Sequence, residues 1–314
     1  MTKITLYGSY TWTEGGMVLT MKKKRAGVMT KKIRRKSALF LAPSIGGVAT
    51  FFVVPFLVVI FYSLVDNPIT KNWVFLDNYV SIVHNKAFRL AVTNTVKFSL
   101  ISVPLIILLS LAVAFALDKN VLARSQIRSC ILSPMMVPIA SVILIWQVLF
   151  DNNGVINELL MRFDLTKIDW LKSDHAQIVI ILLFVWKNLG YDMILFMAAI
   201  ANIPKDLIEV AMLESASPWQ IFRSIKLRYL SSTILFVTIM SLINSFKVFR
   251  EIYLLTGDYP YESLYMLQHY MNNMFASLDY QKLSAAAILM SIVMIVLVGL
   301  MFLIENFVGK DLED

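Results

Sequence analysis

Six long apolar stretches decide what this chain can fold into. They run at about 38–63, 91–117, 127–150, 176–201, 230–255 and 284–307. An α-helix rising ~1.5 Å per residue needs ~20 such residues to cross ~30 Å of hydrocarbon. The stretches lack the apolar–polar alternation of barrel strands. Inside a bilayer no water satisfies backbone N–H and C=O groups, so segments of this kind must bond internally as helices. The expected fold class is therefore all-α, a polytopic protein of the cell membrane with about six transmembrane helices. Composition agrees: the 314 residues are 58% hydrophobic and 16% charged, where soluble domains carry roughly 25% charge.

Charge fixes the orientation. With the N-terminus inside, the inner segments hold most of the Lys and Arg. These are the basic residues at 22–25 and 31–36, then Lys119, Arg124, Arg128, Lys205, Arg223, Lys226, Arg228 and Lys310. The positive-inside rule predicts both termini and the 202–229 loop in the cytoplasm. A basic run can mark nucleic-acid binding. Here it abuts an apolar span, so membrane lipid headgroups are the expected partner and nucleic acid is not. Residues 1–37 read as a basic cytoplasmic tail and 38–63 as an uncleaved first transmembrane helix. Residues 1–20 are polar with no apolar core, and Met21 opens a more usual MKKKR start. They read as a disordered tail or an extension that is not native. Cys130 is the only cysteine, so no intrachain disulfide forms.

No catalytic or metal site is legible. His84, His175 and His269 are isolated and outside the apolar spans, without metal-ligand spacing. No G-x-x-x-x-G-K-[ST] phosphate loop occurs. The chain is expected to be no enzyme and to hold no cofactor. Prolines 43, 55, 104, 134 and 138 interrupt apolar stretches. They mark either ordinary packing kinks or helices lining a polar path.

The loop at 202–229 is too patterned for a passive connector. Pro204 and Asp206 suit a first helical turn, so a short helix is expected over 204–214. Ser217-Pro218-Trp219-Gln220 reads as a capping box opening a second helix. Leu207, Ile208, Ala211, Met212, Ser215 and Ala216 form a stripe of small or flexible side chains. Such a surface admits close approach by another protein, or packs on the bilayer.

This loop resembles the EAA signature of permease subunits in binding-protein-dependent ABC importers, roughly E-A-A-x-x-D-G-A followed by W-Q-x-F-x-x-I-x-L-P. The match lies at Glu209, Ala211, Ala216, Trp219, Gln220, Phe222, Ile225 and Leu227, with Glu214 for the Asp. Val210, Ser215 and Arg228 depart from it. A turn with positive φ at Ser215 would carry strain that Gly avoids. The resemblance covers roughly 40–306 and is closest to the carbohydrate-uptake, maltose-permease-like subfamily. Supporting pieces are Trp146 to Phe150 with Gly154 and Asn157, then the runs at 186–191, 245–249 and 252–257.

The resemblance implies a permease domain at 91–307 and a coupling loop whose contact residues are Glu209, Ala211, Met212, Glu214, Ser215, Ala216 and Trp219. It implies three kinds of partner: a second homologous permease, an ABC ATPase dimer that alone uses ATP and Mg, and an extracytoplasmic solute-binding protein. It places a sugar or oligosaccharide path at Leu189, Gly190, Tyr191, Ser241, Asn244, Ser245 and Val248. Thr238, Ser241, Asn244, Ser245 and Val248 also share one helical face by spacing alone. Such a stripe equally serves helix–helix hydrogen bonding. Two alternatives stay open: a non-sugar solute such as glycerol phosphate or polyamine, and an ion-coupled secondary transporter using Lys187 and Asp192.

Overall fold

Apolar burial drives little between helices already in lipid, so small and polar residues decide where they meet. The structure is a computed structural model. It describes residues 8–13, 16–21, 29–118 and 123–309, and side-chain surroundings for 39–118 and 123–305. The basic residues at 22–25, with Lys119 and Lys310, lie outside the described residues. The chain divides into two units, Met1–Val58 and Val59–Asp314.

In the first unit, β1 (Gly8–Thr13) and β2 (Gly16–Met21) pair antiparallel, Gly8 against Met21. Where composition predicts a disordered tail, β-branched and aromatic residues such as Tyr10, Thr11, Trp12, Val18 and Thr20 favour strands. α1 (Met29–Val48) begins well before the apolar stretch, because Lys and Arg are good helix formers. An i→i+5 segment, Ala49–Val53, joins it to α2 (Val54–Ser63). Pro55 lacks the N–H that a regular α-helix would use there, and the wider turn sits immediately before it.

Among the described residues, the regular structure of the second unit is helical apart from an isolated bridge between Val65 and Trp73. It runs α3 (Asp77–His84), α4 (Lys86–Asp118), α5 (Arg124–Met136), α6 (Ile139–Phe150), α7 (Val155–Arg162) and α8 (Ala176–Ala201). Then follow α9 (Lys205–Leu213), α10 (Pro218–Gln220), α11 (Leu227–Tyr229), α12 (Ser231–Phe246), α13 (Phe249–Thr256), α14 (Leu267–Ala276) and α15 (Tyr280–Gly309). Among the described residues, six helical segments are long and apolar enough to cross a membrane: Leu39–Ser63, Lys86–Asp118, Ile139–Arg162, Ala176–Ala201, Ser231–Thr256 and Tyr280–Glu305. The membrane portion is thus all-α and polytopic.

Two stretches expected as single helices are broken. The 127–150 stretch splits because Val137 is extended (φ −83°, ψ 134°); Pro138 sterically excludes its predecessor from the α region. The 230–255 stretch splits between Phe246 and Phe249 without any proline. There Lys247 N–H bonds Asn244 O at 3.1 Å, and the Ser245 hydroxyl donates to Leu242 O at 2.7 Å. Such back-bonding bends helices.

α8 is the spine, packed most extensively on α4 and also against α5 and α12. Its N-terminal half joins the cluster of Phe98, Ile106, Val142, Val179, Leu183 and Ile252. Its C-terminal half joins Ala114, Phe196, Met197, Leu230 and Val237. Gly190 makes the α5 contact possible, since a Cβ there would lie 2.3 Å from Ile131 O. The turn after α6 is pinned by buried Asn157. Its amide donates to the carbonyls of Asp151, Asn152 and Ile168 and accepts from Ile168 N–H and Trp170 Nε1–H.

Candidate functional site

The loop between α8 and α12 builds itself from local bonds. Pro204 caps α9 in an extended conformation, and Asp206 lies in the first turn. The far end closes as a Schellman motif: Ala216 N–H reaches back to Ala211 O at 2.9 Å, and Ser215 N–H to Met212 O at 3.0 Å. Ser215 takes the left-handed position at φ 61°. Ser217 then caps the next helix. Its hydroxyl accepts from Gln220 N–H at 3.3 Å, and the Gln220 side chain accepts from Ser217 N–H at 2.7 Å. From Pro218 the helix passes through an i→i+5 segment, Ile221–Lys226, into α11.

An aromatic ladder fastens this loop to α4. Trp219 stacks on Phe222 (5.5 Å between centroids), Phe222 meets Phe115 edge-on (5.3 Å), and Lys226 Nζ lies 5.5 Å from the Phe115 ring centre. Between loop and α4 runs an apolar groove of about 800 Å³, lined among others by Leu111, Phe115, Ile208, Met212 and Ile221. Of the expected contact residues, Glu209, Met212, Glu214, Ser215 and Trp219 are exposed, and Ala211 and Ala216 are half-buried. The exposed face includes large apolar side chains, with Leu213 85% and Trp219 66% accessible. Exposed apolar surface of this kind marks interaction sites.

The second feature is a pocket of about 360 Å³ between α8 and the α12–α13 break. It is lined by Phe184, Lys187 and Asn188 from α8, and by Asn244, Lys247, Val248, Arg250 and Glu251 opposite. Lys187 pairs with Glu251, whose side chain is only 8% exposed. Burying a charged group is costly unless it is paired, and Lys187 supplies the pair.

Of the seven expected path residues, Asn244 and Val248 line this pocket. Leu189 packs on the α8 core cluster. Gly190 is buried against α5, and Tyr191 is half-buried. Ser241 donates to buried Asp192 at 3.0 Å, and Ser245 bonds Ser99 of α4 at 2.8 Å. Those two hydroxyls therefore bind helix to helix. Lys187 faces Glu251, not Asp192, because five residues place two side chains on different helical faces. Charged residues inside apolar spans were the sequence signal for this pocket.

A multi-pass helical membrane protein with a surface helix–turn–helix joining two pocket-lining helices is the architecture of a transport subunit. The chain belongs to the family described as binding-protein-dependent transport system inner membrane component, which matches residues 106–313. It is 29% identical over 242 residues to the trehalose/maltose transport system permease protein MalF of Thermococcus litoralis, covering 74% of this chain and 82% of that one. It is 27% identical over 284 residues to the lactose transport system permease protein LacF of Rhizobium radiobacter, covering 87% and 93%. Among solved structures, a chain of a bacterial ABC transporter that imports the acidic polysaccharide alginate superposes with a TM-score of 0.77 at 22% identity, covering 88% of this chain and 98% of that one. That likeness establishes the shared fold. The chain is a permease component of the membrane.

Proposed function

We propose that this chain is one of two homologous permeases in an ATP-driven importer and forms half of the path for a sugar or oligosaccharide handed over by an extracytoplasmic binding protein. One observation carries the reading: the loop that exposes Glu209, Met212 and Trp219 connects the same two helices that line the polar pocket. From Leu230 to Asn244, and from Asn202 back to Lys187, the helices run about 20 Å at ~1.5 Å per residue. A partner ATPase that grips the loop therefore moves both pocket walls. ATP and Mg act in that partner, whose closure favours one arrangement of the two permeases over the other. This is a population shift driven by differential contacts, with no chemical step in this chain. Both termini and the loop face the cytoplasm, in keeping with the basic residues clustered there. The names of the relatives support a saccharide as solute.

The ion-coupled alternative needs Lys187 and Asp192 as a couple, and these residues have separate partners. The test is purification of the tagged chain from its native membranes in mild detergent, with mass spectrometry of what accompanies it. An ATPase and a second permease should co-purify. Glu209→Lys, at an exposed loop position, should cut ATPase recovery about tenfold, the equivalent of ~1.4 kcal/mol, while the thermal midpoint of the membrane helices stays unchanged. A chain that purifies alone, beside a control importer that stays intact, would overturn the reading.

A further inference from the structure

The pocket between α8 and the α12–α13 break carries more positive charge than its own carboxylate neutralises. Four of its eight lining residues are ionisable: Lys187, Lys247, Arg250 and Glu251. Glu251 is nearly buried and already paired with Lys187. That leaves Lys247 and Arg250, both exposed toward the pocket region and neither in an ion pair or side-chain hydrogen bond with any described residue. The amides beside them are also partly unspent. Asn188 uses its N–H₂ on Phe184 O at 2.8 Å and keeps its carbonyl oxygen, while Asn244 makes no side-chain bond. Phe184 supplies an apolar wall.

Uncompensated cations within a membrane-spanning segment are costly and mark a ligand path or counter-ion site. A neutral sugar would draw hydrogen bonds from this set but would leave both charges unanswered. A carboxylate or phosphate would answer them, and the planar fork of Arg250 suits bidentate recognition of either. The volume of about 360 Å³ falls within the ~300–1,000 Å³ of small-molecule sites, so one charged residue of a longer glycan fits at a time.

We propose that this pocket takes the anionic group of an acidic saccharide, a uronate carboxylate or a sugar phosphate ester. Arg250 and Lys247 are the counter-charges, and Asn188 and Asn244 bond the adjoining hydroxyls. This assignment rests on the permease reading above and narrows its solute. The Lys187–Glu251 pair has a positioning role, holding α8 to α13 so that the two free cations converge.

The experiment is equilibrium binding of three radiolabelled probes, maltotriose, trigalacturonate and glucose 6-phosphate, to the purified importer complex at low salt. One of the two charged probes should bind about tenfold or more tighter than maltotriose, as charge-assisted bonds outweigh neutral ones. Which of them wins distinguishes carboxylate from phosphate. The preference should shrink with added salt. It should fall to within about twofold in the Lys247→Gln/Arg250→Gln double variant, which removes both counter-charges, and persist in weakened form in Arg250→Lys, which keeps the charge but loses the fork. Recovery of the ATPase by each variant complex reports that the fold and the parent reading stand. Equal binding of all three probes would overturn the proposal while leaving the permease function intact, as would a charge preference unmoved by the double variant.

Discussion

Ser215 is the most informative residue to change. It occupies the left-handed position of the Schellman turn at φ 61°, is exposed, and spends no side-chain hydrogen bond on its neighbours. An L-residue there costs roughly 1–2 kcal/mol through Cβ–carbonyl crowding. Replacing it by Gly removes that strain but frees the unfolded backbone, which takes back about 0.4–1 kcal/mol. The net expectation for Ser215→Gly is a gain of about 0.5–1 kcal/mol, a factor of roughly 2–5 in local opening. The proper readout is hydrogen exchange at the Ser215 and Ala216 amides, which bond Met212 O and Ala211 O, because surface loops open without global unfolding. Protection should rise by that factor in Gly. Ser215→Ala keeps the Cβ and should leave protection within about twofold of the parent. Unchanged or reduced protection in Ser215→Gly would refute the claim that this turn is strained.

Gly190→Ala forces a Cβ to within 2.3 Å of Ile131 O, so α5 and α8 must separate at a cost of about 1–3 kcal/mol. Gly299→Ala, where nothing lies within 4 Å, is the matched control, and a thermal melt of both variants in detergent decides. Acid sensitivity should trace to His269, which lies outside the membrane-spanning segments. Burial holds its imidazole neutral and lowers its pKa to about 4 against the opposing pull of Asp258, while Nδ1 accepts the Met266 N–H at 3.3 Å. The unfolded chain takes up that proton below pH ~6.5 and the folded one only near pH 4. Stability is therefore full above pH ~6.5 and falls by about 3 kcal/mol on reaching pH 4. His269→Leu should flatten that part of the pH–melting curve, and a curve unchanged by the substitution would remove His269 as its cause.

Hydropathy alone located the spans, because length and apolarity are properties of contiguous residues. The loop was legible for a similar reason: Ser217, Pro218 and Gln220 make their bonds within four residues of one another. The pocket was harder to see. Lys187 and Glu251 meet across 64 positions, and their meeting depends on how α8 and α13 are rotated, which no local pattern encodes. The break that sets α13's course has no proline to announce it. Its cause is the Ser245 hydroxyl, which read equally well as path lining and as helix glue. The prolines of the 127–150 stretch did announce a disturbance: Pro134 stays inside α5, and Pro138 ends it by holding Val137 extended.

The ladder from Trp219 through Phe222 to Phe115 changes what kind of machine the loop belongs to. A loop held only at its ends would be a crank with two arms, α8 and α12. Bolted also to α4, which is itself tied to α12 through Ser99 and Ser245, it becomes a braced frame with three struts. A frame of that kind has little slack, and a push on its base is shared among its members. Loosening any one strut costs stiffness by degrees, so such a transporter would waste part of each stroke before it stopped moving its cargo.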